Sequence, residues 1–185
     1  MTRLWVLDRL ASQLQGLAGV RAEIAAELVA RIRQLTERIN QLQADLDRRV
    51  EPLSGQLRQV VGVGVLGAAK LIGRPGGVGR FGGSAQFAMH AGVAPIPVWS
   101  GNRTRHRLNR GGNRQLNAAI HRVAITQLRA YQPAQTLMAR RIAAGNSNPE
   151  ALRVLKRHLA DVLYAAMRAD DQAASNTTAE QPAAA

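Results

Sequence analysis

Ser100 is followed by Gly101 and then by arginine at 103, 105, 107, 110 and 114. A small hydroxyl beside a flexible glycine, facing a dense field of guanidinium groups, is a residue set suited to phosphodiesters. Guanidinium ions neutralise and orient phosphate oxygens through paired hydrogen bonds, and glycine lets a backbone approach closely. Gly111 and Gly112 sit inside the same run. The plainer account is a Ser-Gly turn followed by a solvated basic face. Spacing alone does not separate the two.

The surrounding charge sharpens the question. The formal net charge is +13, from 25 Lys and Arg against 12 Asp and Glu. Between Pro52 and Pro149 there are thirteen Lys or Arg and no Asp or Glu, so the whole excess lies in the middle of the chain. A block of one sign repels itself unless a polyanion neutralises it, which points to nucleic acid. An anionic membrane fits less well, because no basic amphipathic helix with bulky apolar anchors occurs there. No apolar run is long enough to span a bilayer, and Asp8 and Arg9 interrupt any secretory signal, so the expected location is cytoplasmic. Cysteine is absent, which removes disulfides and thiolate metal sites.

The elements that must position these residues read as mostly α. Leu4, Leu7, Leu10, Leu14 and Leu17 mark a first helix over residues 3–20. From Ile24 to Leu57 the apolar series includes Leu28, Ile32, Leu35, Ile39, Leu42, Leu46, Val50 and Leu53 at steps of mostly three and four. That heptad-like pattern predicts a helical hairpin or coiled-coil arm over residues 1–57, with self-association through 24–57. Pro52 predicts a break near residues 49–52. A compact helical domain follows over 58–168, and a disordered tail is expected over 169–185.

Within that domain, Gly62, Gly64 and Gly67, and again Gly77, Gly79 and Gly82, match a dinucleotide fingerprint without its strand-to-helix setting. The better reading is a helix, a Gly62-Val-Gly64 turn and a helix from about Leu66, resembling a helix–hairpin–helix motif whose amides meet a DNA phosphate. Tight packing of two helices is the equal alternative. A glycine-rich loop over 73–84 leads to a short helix holding Phe87, Met89 and His90, with His90 read as a satisfied core residue. Val93, Ile96, Val98 and Trp99 suit a short hairpin at 93–108. A helix over roughly 114–130 buries Leu116, Ile120, Ala124 and Leu128. Arg114, Arg122 and Arg129 lie towards its polar side, and His121 has no second ligand at metal spacing. Ser147-Asn-Pro149-Glu150 starts a last helix that buries Leu152, Leu155, Leu159, Val162 and Leu163.

Residues from about 60 to 165 resemble the C-terminal serine domain of bridge-RNA-guided bacterial insertion-sequence transposases. The matching pieces are Gly62-Val-Gly64 with Ala68, Arg80-Phe81, Ala91-Gly-Val-Ala-Pro95, Ser100-Gly101, Arg110-Gly-Gly-Asn-Arg-Gln-Leu116 and Glu150-Ala-Leu-Arg-Val-Leu-Lys-Arg157. Residues 3–55 look like the helical connector to the family's N-terminal RuvC-like nuclease domain. The resemblance implies that Ser100 is the nucleophile on a DNA phosphodiester, forming a transient phosphoserine link. It also implies DNA and a guide RNA as partners. The divalent metal (Mg) belongs to a RuvC-like partner domain, with no cofactor in this chain. The RuvC-like half is missing from these residues, and no carboxylate neighbours Ser100 in sequence. The expectation is therefore a fragment, or a chain that needs a RuvC-bearing partner. From charge and proximity, Lys70, Arg80, Arg103, Arg105, Arg107, Arg110 and Arg114 are the candidate DNA/RNA contacts. Gly62, Gly64, Gly101, Gly111 and Gly112 are candidates for close backbone approach. Two further readings stay open: a non-catalytic nucleic-acid-binding remnant, and a helical oligomerisation protein acting through its arm.

Overall fold

A computed structural model describes residues 4–100, 103–107, 109 and 111–179 of the chain. The chain divides into two compact units, residues 1–48 and 49–185. The first contains helix α1 (Leu4–Leu14) and most of helix α2 (Val20–Val50). The Arg33 guanidinium pairs with the Asp8 carboxylate. The two residues are 25 apart in sequence and lie on different helices, so α1 folds back along α2. Leu4, Leu7, Ala11 and Leu14 are half-buried, as are Ala22, Ala25 and Val29 of α2. The larger Ile24, Leu28, Ile32, Leu35, Ile39 and Leu42 of α2 are about half-exposed.

The predicted break occurs where proline requires it. Helix α2 stops at Val50, and Pro52 enters a 3-10 turn over Glu51–Leu53. Ser54 Oγ donates to Val50 O at 2.7 Å, and Ser54 and Leu57 are fully buried in the second unit. The boundary thus falls ahead of residue 57, since the second unit begins at Arg49 and already buries Val50, Ser54 and Leu57.

That unit is built on helix α7 (Asn148–Ala179), against which α4 (Ser84–His90), α5 (Arg114–Ala130) and α6 (Gln132–Ala143) pack. Helix α3 (Val65–Gly73) packs on α5. Leu57, Leu71, Phe87, Leu116, Ile120, Val123 and Leu163 are essentially inaccessible, each burial worth about 1.5–3 kcal/mol against exposure. At the start of α7 the Glu150 carboxylate reaches back over the first turn, with Ser147 N and Oγ both donating to Glu150 Oε2 at 2.9 and 2.7 Å. Two expectations for α7 need correction. Val162 is half-exposed, because it lines an apolar groove with Val61, Tyr131 and Leu137 instead of the core. The helix also runs on to Ala179 where a disordered tail was expected from 169. Asp170 explains part of this, since its carboxylate accepts from Gln56 N at 2.6 Å and Leu57 N at 2.9 Å. Residues 180–185 lie outside the described residues.

Among the described residues the strands form one antiparallel pair, β1 (Ile96–Ser100) with β2 (Arg103–Arg107). It falls inside the stretch whose β-branched and aromatic residues suit strands. Pro97 lacks an N–H, which a two-stranded ribbon tolerates because both strands are edges.

Candidate functional site

The hairpin sets Ser100 as the last residue of β1, directly opposite Arg103 in register. Further along, Trp99 faces Thr104, Val98 faces Arg105 and Ile96 faces Arg107. The backbone therefore brings the candidate nucleophile and three candidate arginines onto one ribbon. Gly101 and Arg110 lie outside the described residues.

The base of the ribbon is a close crossing of two backbone segments. Gly92 has φ +67°, in the left-handed region that favours glycine. A Cβ placed on Gly112 would lie 2.2 Å from Gly92 Cα. Gly112 is thus needed for an approach of the chain to itself. Gly111 N donates to the Asn109 side chain at 3.0 Å, and Asn109 Nδ2 reaches Met89 O at 3.2 Å. Asn113 N donates to His90 O at 2.7 Å, and the Asn113 side chain caps α5 by accepting from Gln115 N and Leu116 N. His90 itself departs from expectation. It is half-buried with its ring 5.3 Å from that of Phe81, and Nε2 has no hydrogen-bond partner among the described residues.

Asn117, one turn into α5, donates from Nδ2 to Ala91 O at 3.2 Å and Gly92 O at 2.9 Å. Its Oδ1 accepts from Lys156 Nζ of α7 at 2.6 Å. Lys156 is only 7% exposed. Burial lowers its pKa, because the charged form loses solvent. His121 on α5 is also lowered, by burial and then by the charge of Lys156. Sequence reasoning missed both Asn117 and Lys156. The available signal was an amide beside the apolar series of α5 and a lysine beside Leu155 in the inner row of α7.

The remaining candidates scatter. Lys70 Nζ lies 3.4 Å from Gln115 Oε1, which brings it to the start of α5 beside the exposed Arg114. A cation in the first turn opposes the helix dipole, so an anion there would relieve a real penalty. Arg80 is committed elsewhere: it donates to Pro75 O at 2.8 Å and lies over the Phe81 ring. Gly62 has φ +92°, and an added Cβ would meet Val123 O at 3.1 Å, so its close approach is to α5. Gly64 is open and begins α3 without a side-chain cap. A single 3-10 turn, Leu57–Gln59, precedes this glycine pair, where a full helix was expected. Among the described residues no group of three or more His, Asp or Glu could hold a metal ion. No described helix is long and apolar enough to cross a membrane.

These features define a mostly helical domain that carries an arginine-bearing ribbon in a segment free of carboxylates. Comparison with known proteins narrows the class. Residues 54–139 match the Transposase IS116/IS110/IS902 family. The chain is 32% identical over 148 residues to an uncharacterised 43.6 kDa protein of insertion element IS110 from Streptomyces coelicolor, covering 78% of this chain and 36% of that protein. It is 27% identical over 150 residues to an uncharacterised 44.8 kDa protein of insertion element IS116 from Streptomyces clavuligerus, covering 79% and 37%. Residues 54–139 therefore carry the sequence pattern of an IS110-type transposase domain, and the chain spans little more than a third of each relative's length.

Proposed function

We propose that the chain is the serine-bearing, DNA-handling part of an insertion-element transposase, with Ser100 as its nucleophile. The observation that carries this is the register pair of Ser100 with Arg103 on a ribbon whose second strand also holds Arg105 and Arg107. In the proposed step, Ser100 Oγ bonds to the phosphorus of a DNA phosphodiester, and the bond to one deoxyribose oxygen breaks. The released sugar oxygen takes up a proton equivalent to the one the serine loses. Reversal rejoins the strand with no external energy source. The arginines neutralise charge that develops on the phosphate oxygens. The divalent metal implied by the resemblance would assist such chemistry from a RuvC-like domain, and DNA with a guide RNA would be the partners. The described residues of this chain do not fit a metal site, since carboxylates are absent from 52–149, so no step is routed through one.

The test has two arms. Binding to short duplex DNA is titrated from about 50 to 200 mM salt. Neutralisation of about five phosphates would give a several-hundredfold loss of affinity. An adduct assay then supplies a RuvC-like domain with the chain. Ser100→Ala should abolish the covalent protein–DNA species while leaving affinity within about threefold. An adduct of undiminished yield in that variant removes Ser100 from the chemistry. Binding without any adduct would favour the non-catalytic remnant.

A second reading concerns the arm. Ile24, Leu28, Ile32, Leu35, Ile39 and Leu42 are each 47–57% exposed along one 31-residue helix. Their heptad-like steps suit the same stripe of a second copy, so we assign self-association to α2.

A further inference from the structure

We propose that Lys156 and Asn117 are positioning residues for the ribbon that carries Ser100. The buried ammonium of Lys156 orients the Asn117 amide, and that amide holds the backbone turn from which β1 departs. The catalytic consequence rests on Ser100 being the nucleophile, whereas the positioning does not.

A lysine in the inner row of a helix is costly unless something compensates the lost solvation. Lys156 stands beside the buried Leu155 and one turn from Leu159, yet its partner is a neutral amide, at 2.6 Å, and not a carboxylate. That contact decides which way the amide faces. An amide has one acceptor side and one donor side, and an ammonium can only donate. With Oδ1 turned to Lys156, Nδ2 must face the carbonyls of Ala91 and Gly92, at 3.2 and 2.9 Å. Replacing the lysine with an apolar residue leaves Oδ1 without this donor, so the two carbonyls alone would orient the amide.

The turn so held is the entrance to the ribbon. Gly92 precedes β1 by a few residues and is clasped by Gly112, which follows β2. The bonds from Asn113 N to His90 O and from Asn109 Nδ2 to Met89 O tie the entry and exit strands together. The Asn117 amide links this knot to α5, and Lys156 links it to α7. A carboxylate at 117 would pair with Lys156 more strongly but would lose both donors and add negative charge to a segment that has none. The neutral amide keeps the positive potential beneath the arginine ribbon intact.

The test uses the full chain in a Trp5→Phe background, leaving Trp99 as the one tryptophan of two in the sequence. Hydrogen exchange over 89–93 and 109–113 and the fluorescence anisotropy of Trp99 are measured for four variants. Lys156→Met should keep cooperative unfolding yet exchange at least tenfold faster in those two segments, with lower Trp99 anisotropy. Lys156→Arg, which retains a donor cation, should recover most of the protection. Asn117→Asp, which keeps an acceptor for Lys156 but loses both donors, should behave as Lys156→Met does. Ser100→Ala should leave exchange and anisotropy at parental values. Unchanged protection and anisotropy in folded Lys156→Met and Asn117→Asp would overturn the proposal. A uniform loss of protection across α5 and α7, unrelieved in Lys156→Arg, would overturn it too by showing a merely structural role. Loosening of the ribbon with an undiminished adduct in Ser100→Ala would leave the positioning standing and remove the nucleophile.

Discussion

At the scale of single residues, backbone contact and buried charge decide more than the visible run of arginines. Gly112 is the clearest case. Its missing Cβ allows the Gly92 backbone to pass where an alanine methyl would sit at 2.2 Å, and neither segment can yield because both are tied by hydrogen bonds. Gly112→Ala should therefore cost about 3 kcal/mol or more, seen as a lowered denaturation midpoint. Gly64→Ala, where nothing lies within 4 Å, should cost less than about 1 kcal/mol. An equal effect of the two substitutions would contradict the crossing as the source of the constraint. Lys156 adds a pH dependence of known sign. Its folded pKa lies below the ordinary lysine value, so between those two values the unfolded chain binds more protons. The contribution of Lys156 to stability accordingly improves as pH rises through that window.

At the scale of elements, α7 organises the second unit, and its last turns are held by Asp170. That carboxylate does for the 3-10 turn at Leu57 what an N-cap side chain does for a helix: it accepts two orphan amide hydrogens. Asp170→Ala should cost about 1–2 kcal/mol in global stability. Amide exchange of Gln56 and Leu57 should rise with it, measured by mass spectrometry or NMR. A loss of stability without faster exchange at those two amides would place the role of Asp170 elsewhere. Asn113 acts similarly for α5, which it starts just beyond the ribbon, so the cap and the crossing are built from one loop.

At the scale of the whole molecule, the basic block and the stripe of half-exposed leucines and isoleucines occupy different stretches of the sequence. The excess of Lys and Arg lies in residues 52–149, and the stripe from Ile24 to Leu42 lies in α2. Self-association and nucleic-acid binding should therefore be separable by mutation. Ile32→Glu combined with Ile39→Glu should shift the chain from dimer or higher order to monomer in sedimentation at micromolar concentration. The same pair should leave intrinsic affinity for a short duplex within about threefold at saturating protein. A wild-type chain that sediments only as monomer would remove the role assigned to the stripe.

The sequence by itself determined the helical class, the break at Pro52, the cap at Ser147-Glu150, the strand-suited stretch around Ile96–Trp99 and the charge block. Each of these is local, set by apolar period, by proline's missing N–H or by side-chain type within a few residues. Only the tertiary structure decided which glycines meet the chain itself, that Arg80 is held by Pro75 O, and that Lys156 reaches Asn117 across two helices. It likewise showed α7 continuing past Ala169, because the partner of Asp170 lies more than a hundred residues earlier in the chain. Composition marks residues 169–179 as tail-like, but a carboxylate that caps a distant turn is visible only once the two segments are side by side. The candidate site divides the same way: the roles proposed for Ser100 and its arginines rest on residue type and spacing, whereas the contact of Lys156 with Asn117 was not legible, since a contact between helices leaves no period in either.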